Sequence, residues 1–159
     1  MIILDVEASG LHDESYPIQV ALYDSESGDS ESFYIKPAES WVYWDEEAQT
    51  IHNIPRKLLD DVGISLDESV KRICDFMAQK NETVMYCDAP DFDGFWLNRL
   101  FTEVDYGDAN LSIDNVLSIC DHKEEIDQII DIMRKQNRPH DALDDCKMIW
   151  EAVREVMFP

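Results

Sequence analysis

Positive charge is scarce in this sequence. Thirteen Lys and Arg stand against 35 Asp and Glu, a net charge of −22 and a pI near 4.2. A phosphate backbone is ordinarily held by Lys and Arg through counterion release, so a field of this sign argues against nucleic acid as a partner. The motifs described below argue the other way. Long apolar runs are missing too. No stretch of 18 apolar residues is present, which excludes a membrane-spanning helix, and MIILDVEASG lacks the basic flank and apolar core of a signal peptide. Cysteines are few and unpaired in spacing: Cys74, Cys87, Cys120 and Cys146 form no CxxC, which points to reduced thiols in a cytoplasmic protein. Glycine (5) and proline (6) are sparse, and there is no repeat or low-complexity linker. What is present is a foldable composition. Hydrophobic residues make up 45% and aromatics 10%, which argues against disorder despite the charge. A chain of this length fits one domain spanning 1–159, able to bury about 70% of its unfolded surface.

The first third reads as strands. Met1–Glu7 is a short apolar run ending in acids. Pro17–Asp24 carries Ile18, Val20 and Leu22 at period two, and Glu31–Lys36 forms a third strand after a turn at Ser25–Ser30. The remainder alternates. Helical spacing predicts helices over Leu66–Gln79, Phe92–Phe101, Glu124–Lys135 and about Asp141–Val156, with strands at Thr83–Cys87 and Asn110–Ile113 and a short helix over Asp114–Cys120. Short links make the first three strands an antiparallel meander. Helical crossovers make the later two parallel to the first. The expectation is an α/β fold with a mixed five-stranded sheet flanked by helices.

Three acidic motifs carry candidate chemistry. In Asp5-Val6-Glu7, residues two apart on a strand face one way, so both carboxylates are available to one cation. The bland alternative is a pair of solvated strand-end acids. Composition alone gives about two Asp-x-Glu by chance; the chain holds four, at Asp5, Asp24, Asp29 and Asp45, and only the first ends an apolar strand at the chain start. The second motif, Asp88-Ala-Pro-Asp91-Phe92-Asp93, follows a strand and opens an aromatic-rich helix. Asp93 is either a functional acid or, with Asp91, a helix cap favoured by the macrodipole. A calcium loop is excluded, since Gly94 at position six would place Ala89 and Leu100 at the first and last ligand positions. The third motif is His140-Asp-Ala-Leu-Asp-Asp145. A loop histidine beside a helical carboxylate suits a general base next to a metal ligand, or else an exposed loop histidine near helix-start acids Asp141 and Asp144. His122 and Asp127 repeat the spacing.

The order of the three motifs is more specific than any one of them. LDVEASG, YCDAPDFDGFWL and RPHDALDDCKMIW together resemble the DEDDh-type 3′–5′ exonuclease family, the RNase T and polymerase epsilon-like superfamily, over nearly the whole chain. EAQTIHNI is similar to the family segment between strand three and the next helix. Residue by residue, Asp5, Glu7, Asp93 and Asp145 match the four acids and His140 the fifth position. His122 does not, because it lacks the following Ala-Leu. The resemblance implies a ribonuclease H-like sheet in order 3-2-1-4-5. It also implies two divalent cations, Mg²⁺ or Mn²⁺, and hydrolysis of the terminal phosphodiester with release of nucleoside monophosphates. The residue types suit that chemistry: carboxylate oxygens for hard cations, two metals for an in-line displacement, and a His near neutral pKa for the attacking water.

Softer candidates follow from the same resemblance. Ser9, Gly10 and Leu11 would line the terminal nucleotide, and His52 and Asn53 would lie near the substrate end; plain loop or core structure is the alternative for each. Arg138, with Arg134 and Lys135, would guide a phosphate strand or simply end a helix. Asp88 and Asp114 read as structural caps. Trp41 and Trp44 read as core or surface anchors ahead of base stacking. The competing function is a non-catalytic acidic module, a nucleic-acid mimic or an end-binder. The intact set of five weighs against it, because a mimic has no use for a histidine at the fifth position. Nothing in the sequence selects DNA over RNA or sets an oligomeric state. The excess acid sits on inferred loops and outer faces, which predicts weak binding to short single-stranded 3′ ends.

Overall fold

The computed structural model describes residues 1–107 and 109–159. Strands β1 (Ile2–Ala8), β2 (Pro17–Asp24), β3 (Ser30–Tyr34), β4 (Val84–Cys87) and β5 (Ser112–Asn115) form one sheet in order 3-2-1-4-5. β1 pairs antiparallel with β2, and β2 with β3; β1 with β4 and β4 with β5 are parallel. Helices α1 (Glu46–His52), α2 (Arg56–Val62), α3 (Leu66–Lys80), α4 (Pro90–Glu103), α5 (Lys123–Lys135) and α6 (Ala142–Met157) surround it. No helix among the described residues is long and apolar enough to cross a membrane.

β1 lies in the middle of the sheet and is covered on both faces, which is why its start is a continuous apolar run. Ile2, Leu4, Val6 and Ala8 enter one core with Trp96, Leu97 and Leu100 of α4 and Val70, Ile73 and Met77 of α3. Ile3 enters the other with Cys146, Ile149 and Val153 of α6. By the period-two rule Asp5 and Glu7 continue the Ile3 row, so the acids project on the α6 side. Small residues let α6 approach closely: the Cys146 thiol lies 3.6 Å from both the Ile3 and the Ala21 carbonyl oxygens.

The structure departs from the sequence expectation in three places. First, α1 and α2 lie within a stretch assigned no secondary structure. Each is seven residues, too short for a periodic signal, and each depends on context. α1 is capped by the Asp45 carboxylate on the Glu47 N–H (2.8 Å) and closed by Asn53 in the left-handed conformation at φ 56°. Buried Ile54 and Leu59 dock the pair on the core. Second, β5 is Ser112–Asn115, two residues later than expected, because pairing with β4 sets it from Val84↔Ser112 to Cys87↔Asn115. Third, the expected helix over Asp114–Cys120 is a 3₁₀ turn, Val116–Ile119, and its cap is Asn115 accepting from the Leu117 N–H (2.8 Å). Asp114 is an exposed strand residue and caps nothing.

Candidate active site

Four acids converge beyond the end of β1. Asp5 and Glu7 leave the strand on the α6 face, opposite Ala21 and Gln19 of β2. Asp93 enters from the first turn of α4. The N-cap of that helix is Ala89, which makes no side-chain cap, so neither Asp91 nor Asp93 is used as one. Asp145 enters from the first turn of α6. Asp5, Asp93 and Asp145 are buried, at 6%, 3% and 2% exposure, and Glu7 is half-buried. His140 is also half-buried and sits just before the α6 cap, Asp141. Ligand atoms of Glu7, His140 and Asp145 all lie within 4.8 Å of one another. His140 takes the left-handed conformation at φ 53°, which costs a non-glycine residue about 1–2 kcal/mol. Such strain persists where neighbouring contacts over-determine the backbone. Here Arg138 ion-pairs with Asp88 on one side, and Asp141 is held by the Gln19 amide on the other.

Crowding the carboxylates raises their pKa values. Burial pushes Asp5 well above its ordinary value, and Asp93, Glu7 and Asp145 push it further. Glu7 is raised to about 7, first by burial and then by Asp145 and Asp141, with Arg138 pulling it back. Asp93 is likewise raised to about 7, by burial first; the Cys87 thiol lowers it and Asp88 raises it. Burial also raises Asp145, opposed by Arg138 and His140. Two carboxylate oxygens, Asp93 Oδ2 and Asp145 Oδ1, are buried with no hydrogen-bond partner. A buried acceptor left unpaired is costly. Oxygen donors of this kind, gathered with a histidine, suit a hard divalent cation. The donor set of Asp5, Glu7, Asp93 and Asp145 therefore fits such an ion.

The softer candidates divide. Ser9 is fully buried and its hydroxyl accepts from the Tyr16 N–H (3.1 Å), so the hydroxyl serves the loop. Gly10 lies against Tyr43, where an added Cβ would meet the ring at 2.8 Å. Leu11, next to it, is 73% exposed. His52 is buried; its Nδ1 accepts from the Ile54 N–H (3.0 Å), leaving Nε2 buried without a partner. Burial, with a smaller push from His140, lowers the His52 pKa to about 4, so the ring is neutral and Nε2 carries the proton. Asn53 closes α1 and is exposed. Trp41 is core, stacked on Tyr16, and Trp44 packs edge-on to His52. Asp88, expected as a cap, is the partner of Arg138. Arg134, Arg138, Gln136, His140 and Asp88 line an open cleft of about 440 Å³. A second cleft of about 550 Å³, between α4 and β5, is lined by none of the acids of the centre. His122 stands at the start of α5, where its backbone N–H donates to Glu125 (3.0 Å). Gln19 carried no signal in the sequence, because only the β1–β2 register brings it beside Glu7.

No family model matches the sequence, and no curated protein matches it. Solved structures do share its fold. The zinc-bound form of E. coli exonuclease I with single-stranded DNA aligns at TM-score 0.72 and 18% identity, covering 99% of this chain and 40% of that one. A moderately thermophilic exonuclease I from Methylocaldum szegediense aligns at TM-score 0.71 and 16% identity, over 97% and 40% of the two chains. A 3′-exonuclease described in 3′-end recognition of a histone mRNA stem-loop aligns at TM-score 0.71 and 17% identity, over 98% and 62%. The mixed sheet in order 3-2-1-4-5 is the ribonuclease H-like exonuclease fold of these neighbours. The chain spans about two fifths of the length of the exonuclease I structures.

Proposed function

We propose that this protein is a metal-dependent 3′–5′ exonuclease acting on short or single-stranded nucleic-acid 3′ ends, with residues 1–159 as one catalytic unit in a cytoplasmic setting. The observation that carries the reading is the convergence of Glu7, His140 and Asp145 within 4.8 Å, next to buried, unpartnered carboxylate oxygens on Asp93 and Asp145. Asp5, Glu7, Asp93 and Asp145 would hold two divalent ions, Mg²⁺ or Mn²⁺. When bound, such ions polarise the phosphoryl group and stabilise the attacking and leaving oxygens. The chain's own residues do the rest. A ring nitrogen of His140 takes the proton from the attacking water. The water oxygen bonds to phosphorus as the P–O3′ bond breaks, the released 3′-oxygen takes a proton from solvent water, and a 5′-monophosphate leaves a strand one nucleotide shorter. Exposed Leu11 beside Gly10 packs on the terminal nucleotide, with exposed Asn53 flanking it. The guanidinium donors of Arg138 not used by Asp88 meet phosphate. The exonuclease neighbours lend support through shared fold.

A 5′-labelled and a 3′-labelled oligonucleotide, each with Mg²⁺ or Mn²⁺, test the reading. The expected result is early loss of the 3′ label as mononucleotide and a descending ladder from the 5′ label, both stopped by EDTA. Cleavage in EDTA, or internal cutting, would reject it. His140→Ala is expected to lower kcat about 10²- to 10⁴-fold, the usual worth of a positioned general base, while leaving the thermal midpoint near that of the parent. A variant as active as the parent would remove His140 from the mechanism.

Few cations are available to a strand. Eight of the 13 Lys and Arg lie in ion pairs, and Arg56 and Arg99 donate to backbone carbonyls; among the described residues that leaves Lys36, Arg134 and Lys135, besides the donors of Arg138 that Asp88 does not use. With about two or three phosphates neutralised, the slope of log affinity against log salt for a single strand is expected near −2 or shallower. A steep slope in a salt titration with oligonucleotide would show that the binding energy comes from charges other than these.

A further inference from the structure

We propose that Gln19 is a positioning residue of the centre: its side-chain amide locks the start of α6, and with it His140 and Asp145, against the strand end that carries Glu7. The proposal rests on the exonuclease reading of the site.

Gln19 stands in β2 among Ile18, Val20, Ala21 and Leu22, and is itself 3% exposed. A strand covered on both faces calls for apolar residues, and a buried amide is tolerated only when its ends are paired. Both ends are. Nε2 donates to Asp141 Oδ2 (2.9 Å), and Oε1 accepts from the Ala142 N–H (3.2 Å). In the antiparallel register Gln19 lies directly opposite Glu7, and directly paired residues project from the same face. One amide therefore spans from the Glu7 pair to the first residues of α6.

The bonds continue into the helix. The second oxygen of Asp141, Oδ1, caps α6 by accepting from the Leu143 and Asp144 N–H groups (3.2 and 3.3 Å). The Asp141 carbonyl accepts from the Asp145 N–H (2.9 Å). Displacing Asp141 thus displaces the backbone of Asp145. On its other side Asp141 follows His140, whose left-handed backbone lies between the Arg138–Asp88 ion pair and the Gln19 contact. The 4.8 Å grouping of Glu7, His140 and Asp145 joins two elements more than 130 residues apart in sequence, and the Gln19 amide bonds the start of the second from the strand paired with the first. A leucine would fill its volume but leave Asp141 Oδ2 and the Ala142 N–H without these partners.

Three variants test the assignment, read by Mn²⁺ affinity from isothermal titration, by kcat and KM on a 3′-labelled single strand, and by thermal midpoint. Gln19→Leu is expected to weaken Mn²⁺ binding and lower kcat each by about 10- to 100-fold, the usual loss when a ligand's supporting partner is removed, with KM within about twofold. Gln19→Glu keeps the acceptor for Ala142 but sets a second carboxylate against Asp141, and is expected to lose as much. Combining Gln19→Glu with Asp141→Asn reverses donor and acceptor. The amide introduced at 141 donates to the carboxylate introduced at 19, which still accepts from Ala142, and Mn²⁺ affinity and kcat are expected to return to within about threefold of the parent. A packing role would show no such recovery. The assignment is overturned if folded Gln19→Leu keeps parental Mn²⁺ affinity and kcat, if only KM changes, or if the double variant is no better than Gln19→Glu alone. Should Gln19→Leu fail to fold, the comparison of Gln19→Glu with the double variant decides. A parent that binds Mn²⁺ but cleaves no 3′ end would reject the exonuclease reading, and the Mn²⁺ titrations would still judge Gln19.

Discussion

Asp5→Asn is expected to abolish 3′-end cleavage while making the metal-free protein more stable. Asp5 is buried on the central strand, at 6% exposure, and burial together with Asp93, Glu7 and Asp145 raises its pKa well above the ordinary value. Removing a central ligand forfeits several kcal/mol of transition-state charge stabilisation, about a thousandfold or more in kcat/KM. The same change relieves the crowd of buried carboxylates, because an amide of equal shape carries no charge to desolvate. Kinetics on a labelled oligonucleotide and a melt in EDTA check the two halves together. Activity within tenfold of the parent would remove Asp5 from the metal set. Lost activity with lost apo stability would mean that Asp5 supports the fold rather than a cation.

The second large effect is in the pH dependence of stability. Glu7 and Asp93 are raised from ordinary carboxylate values to about 7 in the folded protein. The folded state therefore holds protons that the unfolded chain has already released. Their contribution is fully present below the unfolded values near pH 4 and is lost as pH climbs through 7. Metal-free protein is expected to melt lower at pH 8 than at pH 5, by roughly 5–10 °C for a chain of this size if the two groups together are worth a few kcal/mol. Mg²⁺ or Mn²⁺ should restore the midpoint at pH 8 and do much less at pH 5, where protons compete for the same oxygens. Melts at both pH values, with EDTA and with metal, make the test. A midpoint independent of pH and of metal would contradict the assigned cluster.

Much of the centre was legible in the chain because its chemistry lies in residue type and order. Asp5 and Glu7 end the first apolar run, Asp93 opens a helix after a strand, and His140 and Asp145 flank the last helix start. What remained illegible depends on contacts between distant segments. Asp88 reads as a cap from its place after β4, but it pairs with Arg138, fifty residues on. Ser9 reads as a substrate contact, yet its hydroxyl is used by Tyr16. α1 and α2 hide because seven residues give fewer than two full helical periods, and their stability comes from Asp45 and from docking on the core.

The sequence by itself determined the order of the five strands and the longer helices and the mixed sheet, and its resemblance to the exonuclease family nominated the four acids and one histidine. The fold follows from local periodicity and short connections, the nomination from the order of the three motifs. Only the tertiary structure decided that Glu7, His140 and Asp145 meet, that Asp93 Oδ2 and Asp145 Oδ1 are buried without partners, and that Gln19 ties α6 to the sheet. The reason is physical. Distance and desolvation are set by register and helix packing across more than a hundred residues, and it is they that raise these carboxylates above their ordinary pKa values. The net charge of −22 illustrates the difference: as a total it argues against a nucleic-acid partner, whereas its distribution collects a few buried acids at one strand end and leaves most of the rest on the surface.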